Sequence, residues 1–189
     1  MDLLYRTIQC LSLAGVLSLA SFSTSCTDPV RDRAIERLGA EDPAVPMGPD
    51  HRPGQPCVLC HSAGGPASGK PFAIAGTVFE TILPQSNPAP DVDVLFVDAN
   101  NATRNFTTNA AGNFYVRESE WSDLAYPFKT AIRKQGGMPQ FMNSTVNREG
   151  SCNFCHQPSP GSPYSLPGDD PRESVGQVYA GAPPAGGTP

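Results

Sequence analysis

Between positions 72 and 134, apolar and polar residues alternate with a period of two in four separate runs. Phe72, Ile74 and Val78 mark 72–80; Val92, Val94 and Phe96 mark 92–98; Phe114 and Val116 mark 112–117; Phe128, Thr130 and Ile132 mark 126–134. A strand sends successive side chains to opposite faces, so each run predicts a strand buried on one side. Residues 98–101 (DANN) and 109–112 (NAAG) predict hairpin turns, because Asn and Gly accept positive φ. Several short strands at this spacing predict a mainly β fold, a small antiparallel β-sandwich over 72–135. The three-to-four period is found once, at 30–38. There Ile35 and Leu38 share a face and Gly39 supplies a stop, which predicts one short N-terminal helix.

The flanks lack such periodicity. Residues 11–20 (LSLAGVLSLA) are an apolar core preceded by a single basic residue, Arg6. That is the pattern of an export signal over 1–25, too short for the roughly 20 apolar residues of a spanning helix. The stretch closes on Cys26, placed like the acylated cysteine of a bacterial lipoprotein, although Ser23 stands where that pattern favours leucine. Plain cleavage near Ser23 or Ser25 is the alternative. Residues 26–56 are expected to form a tether, the short helix followed by a proline-punctuated linker from 40 onward. The 158–189 stretch is expected to be a disordered Pro/Gly-rich tail with a short contact at Val178 and Tyr179.

Composition sharpens this picture. The 21 prolines and 18 glycines account for the irregular flanks, and the net charge of −5 with no basic stripe argues against nucleic acid as a partner. The six cysteines carry the chemistry. Cys57-Val58-Leu59-Cys60-His61 and Cys152-Asn153-Phe154-Cys155-His156 are two copies of Cys-x-x-Cys-His, the attachment pattern of c-type haem. Two thiols add to the vinyl groups of one porphyrin, and the next histidine stands ready as the proximal iron ligand. The motifs define haem segments at 57–71 and 136–157, and the expected cofactors are two covalently bound haem c groups. Pairs of Cys-x-x-Cys can instead hold one structural zinc. Here 92 positions separate Cys60 from Cys152, against about 15–20 in a compact zinc ribbon. Neither zinc nor disulfides explain a histidine after each pair. With Cys10 in the signal, Cys26 acylated and four thiols on haem, every cysteine has a role.

The residues GTVF (76–79), VDVLFVDA (92–99) and TTNAAGNFYV (107–116) resemble the carboxypeptidase-regulatory or transthyretin-like β-sandwich, over about a third of the chain. That resemblance implies a binding or spacer module without catalytic residues. The whole arrangement, HRPGQPCVLCH and SCNFCH around a sandwich, is similar to exported di-haem cytochrome c family proteins of soil proteobacteria.

Three histidines limit the iron chemistry. His61 and His156 are the proximal candidates, so at most one haem can have two histidines. His51 is the remaining imidazole, either a distal ligand or an exposed linker residue. Met142 and Met138 are the candidate thioether ligands; packing is their ordinary alternative. The leading expectation is an electron carrier of the bacterial periplasm or cell surface, tethered to the outer membrane through a lipid at Cys26, exchanging single electrons with redox partner proteins. A peroxidase or small-molecule reductase using a five-coordinate haem is the alternative. A binding sandwich with accessory haems is the third.

Overall fold

The structure is a computed structural model and describes residues 28–83, 87–158 and 174–181. The candidate lipidation residue Cys26 and the expected export signal therefore lie outside the described residues. Helix α1 spans Pro29–Arg37, opened by Asp28, whose carboxylate accepts from the backbone N–H groups of Val30 and Arg31. Proline at the first position suits an N-terminus, where an N–H would have no partner. Gly39, just beyond the end, has φ +70°. The Cys57–Cys60 and Cys152–Cys155 segments form single helical turns, α2 and α3.

Seven strands follow: β1 Phe72–Phe79, β2 Val92–Val97, β3 Thr103–Thr107, β4 Asn113–Arg117, β5 Lys129–Lys134, β6 Gln140–Phe141 and β7 Val178–Tyr179. They form two sheets in the orders β4-β1-β7 and β3-β2-β5-β6. The second sheet is antiparallel throughout, whereas β7 joins β1 in parallel. Ile74, Val78, Phe114 and Val116 of the first sheet share one core with Val92, Val94 and Phe96 of the second, closed by Trp121 and Phe128. Phe96 makes edge or tilted contacts with Phe106, Phe114, Trp121 and Phe128 at ring centroids between 5.6 and 6.3 Å. Burying each such side chain contributes about 1.5–3 kcal/mol. The mainly β sandwich expected from the alternation is the fold.

Three features depart from the sequence reading. The 109–112 turn forms, with Gly112 at φ +68° and its N–H on the Asn109 carbonyl, but it is not a hairpin turn. It carries the chain from β3 in one sheet to β4 in the other. Second, the expected contact at Val178 and Tyr179 forms, on Val78 and Phe79, but the ordered stretch is longer: residues 174–176 also bond to the second motif, which corrects the disordered-tail reading there. Third, β1 is buried on both faces from Ile74 to Phe79. One face meets the core, while residues 48–61 cover the other. Their fastenings are the Gly54 N–H on Thr77 Oγ1 at 2.8 Å and the Asn113 side-chain amide on the Pro49 and His51 carbonyls. The proline-rich linker is thus a docked layer over 48–56.

Candidate functional site

Both Cys-x-x-Cys-His motifs fold into the same turn. In each, the histidine N–H donates to the carbonyl of the first cysteine at 2.9 Å, His61 to Cys57 and His156 to Cys152. The backbone angles at the two histidines nearly coincide, φ −93°, ψ 49° at His61 and φ −98°, ψ 65° at His156. In a helical turn residues three and four apart lie on one face, and the two-residue spacer gives the two cysteines and the histidine that relation along the backbone.

The imidazoles share a second feature. His61 Nδ1 lies 2.8 Å from the Lys70 carbonyl, and His156 Nδ1 lies 2.9 Å from the Gly176 carbonyl. A carbonyl can only accept, so Nδ1 is the donor, which in a neutral ring leaves the lone pair on Nε2. Such a backbone acceptor orients a metal-binding imidazole and raises its basicity. Burial pushes the His61 pKa below its ordinary value, against the pull of the Lys70 carbonyl, with smaller downward pushes from His51 and the Lys70 charge. That direction favours the neutral ring, the form that binds metal. Lys70 and Gly176 accept through backbone carbonyls, so no residue type flagged them in the sequence.

His61 is buried, with its ring stacked on Phe72 at 4.0 Å, and Phe72 stacks in turn on Tyr115 at 4.8 Å. His51 stands beside it, with ring centroids 6.0 Å apart and planes 42° apart. The Nδ1 of His51 faces the Gly48 carbonyl, to which it donates. Arg52, one residue on at φ 52°, reaches back to Glu41, Gln55 and the Leu38 and Gly39 carbonyls. On the other side of the motif, Arg31 of α1 donates to the Ala63 carbonyl at 2.8 Å. The structure thus brings His51 to the first motif.

The methionines sit elsewhere. Met138 is exposed. The Met142 backbone donates to the Thr130 carbonyl, and Met142 lines a shallow cleft with Lys129, Thr130, Phe141 and Thr145 on the second sheet. No residue of either motif lines that cleft.

The thiols of Cys57, Cys60, Cys152 and Cys155 are all free of disulfides. Burial pushes Cys57 up to about 11 and Cys152 up to about 12, and it raises Cys60 as well. Among the described residues no three His, Cys, Asp or Glu side chains gather into a group able to hold a metal ion. The four motif cysteines thus do not converge into one cluster. Residues that hold the site together without being chemical are Thr77, Asn113, Gly76 and Gly150. A lone glycine inside a strand, as Gly76 is, signals close approach of another chain segment.

No family model matches the chain, and neither a curated protein nor a solved structure matches it.

Proposed function

We propose that this chain is an exported di-haem c-type cytochrome that carries single electrons between redox partner proteins. The observation that supports it most is the duplicated geometry: each Cys-x-x-Cys-His segment is one helical turn closed by the histidine N–H on the carbonyl of the first cysteine, and each imidazole is tied through Nδ1 to a backbone carbonyl. Two unrelated carbonyls, Lys70 and Gly176, serve the same purpose. Cys57 and Cys60 would hold one haem c with His61, and Cys152 and Cys155 the other with His156. Bound there, haem supplies an iron centre that changes by one electron.

His51 would be a further ligand at the first motif, since its ring lies 6.0 Å from that of His61 and no other histidine is near in the sequence. The second motif has no further histidine to draw on; a methionine, an external ligand or an open position completes it. The sandwich is the frame that holds both motifs, and the apolar segment at 11–20 provides the route out of the cytoplasm that haem c attachment requires. Acylation at Cys26 would then tether the carrier to the outer membrane.

The carrier is tested by mixing the reduced protein with carbon monoxide and with peroxide in a stopped-flow instrument. A carrier leaves the first motif unreactive and gives slow, incomplete reaction at the second. Rapid peroxide turnover at the second motif would replace the carrier with the haem enzyme.

A further inference from the structure

We infer that β1 fastens the two haem attachments side by side, with Cys57 and Cys152 at the same level of the strand, so that the bound groups form one electronically coupled pair. This inference rests on the di-haem reading above. The two motifs are 92 positions apart in sequence, yet both helical turns pack against the same strand.

The level of each thiol follows from the fastenings. The first motif runs antiparallel to β1: the Gly54 N–H meets Thr77 Oγ1 at 2.8 Å, and the Phe72 N–H meets the His61 carbonyl at 2.9 Å. Cys57 lies between those two points along the chain, in the helical turn that packs on β1. The second motif arrives parallel to β1: the Ala75 N–H meets the Gly150 carbonyl at 2.9 Å, and Ser151 pairs with Ala75. The next residue, Cys152, then fills the space above Gly76, where an added Cβ would lie 2.8 Å from the Cys152 Cβ. Both cysteines therefore flank residues 74–76. Each is the first cysteine of its motif, so equivalent edges of the two attached groups are brought to the same place.

Electrostatics agree with the geometry. After burial, the Cys57 thiol is the largest influence raising the Cys152 pKa. The platform is buried and paired as well. Residues 74–79 of β1 are buried and β4 pairs with β1 through the same level, Ala75 with Tyr115 and Gly76 with Phe114. A fixed short separation means that a charge at one group raises the cost of adding a charge at the other. It also means that one docking surface gives a partner access to two electrons.

The test is the circular dichroism of the Soret band on the full haem-loaded protein, with the haem content counted on the same sample. A coupled pair gives a bisignate couplet in the fully oxidised protein. The couplet collapses to a single-signed band at half reduction, and in the variant carrying both C152S and C155S. Two haems per chain with a single-signed band in the oxidised wild type would overturn the pairing and leave the di-haem reading standing. A chain that exports without haem would overturn both.

Discussion

Thr77 and Gly54 are joined by one hydrogen bond, Thr77 Oγ1 accepting from the Gly54 N–H at 2.8 Å while its own hydroxyl donates to Asn113 Oδ1 at 2.7 Å. Thr77 is buried, and through it the segment carrying His51 is fixed to the sheet. Thr77→Val keeps the shape and removes both bonds, leaving a buried N–H and an amide oxygen unpaired. Such a loss costs about 1–3 kcal/mol. Urea denaturation should show a lower midpoint with an unchanged slope, and the visible spectrum at the first motif should become heterogeneous as His51 loosens. An unchanged midpoint would mean that the 48–61 layer is held by its other contacts alone.

His51→Ala removes the only spare imidazole. The expected outcome is retention of both attached groups, conversion of one from a low-spin to a high-spin spectrum, and a gain of carbon monoxide binding at that site. Electron paramagnetic resonance of the oxidised protein reads the change. A spectrum identical to wild type would remove His51 from the ligand set and return it to the role of a linker residue.

Deleting the chain from residue 174 onward removes the Gly176 carbonyl from His156 and the β7 partner from β1. It also bares a sheet edge, which invites association with other chains. The expected result is a shift in the midpoint potential of one haem only, the second, together with concentration-dependent aggregation. Truncation without either effect would make residues 174–181 dispensable.

Gly76→Ala places a methyl group 2.8 Å from the Cys152 Cβ and 2.9 Å from the Phe114 ring. Overpacking of this kind costs about 1–3 kcal/mol. Thermal unfolding should fall, and haem occupancy at the second motif should fall more than at the first, because the clash lies beneath Cys152. Equal occupancy at both motifs would contradict the seat assigned to that cysteine.

Asp93 on β2 is bonded to Arg133 at 2.7 Å, and that bond, with smaller help from Asn105 and Thr107, holds its carboxyl below the usual carboxylate value. A carboxyl lowered on folding adds stability above its unfolded pKa and loses it as pH falls toward the folded value. Asp93→Asn should therefore reduce stability at neutral pH and flatten the acid limb below about pH 4. The pair is partly exposed, which keeps the effect within about 1 kcal/mol. Stability measured against pH for both proteins gives the difference directly.

What the sequence discloses depends on which atoms do the work. The alternation at Val92, Val94 and Phe96 reveals β2 because a half-buried strand must show it. Strand β3 hides, because it is a sheet edge whose only large apolar residue is Phe106 and whose other positions face water. Strand β7 is two residues long, below the length at which a period exists. Cys57, Cys60, His61 and their counterparts stand out because sulfur and imidazole at fixed spacing have few other uses. The acceptors at Lys70 and Gly176 are invisible, since every residue has a carbonyl. Nor does any local pattern in the sequence show that Gly54 and Gly150 lie along the same strand; that is a property of the sandwich.

The central claim is most directly tested by the intact mass of the exported protein together with a pyridine haemochrome assay. The account predicts two haem groups per chain, covalently retained, with neither remaining after all four of Cys57, Cys60, Cys152 and Cys155 are changed to serine. A mature chain that carries no haem when expressed with a haem c attachment system, or that carries zinc at its cysteines instead, would contradict it.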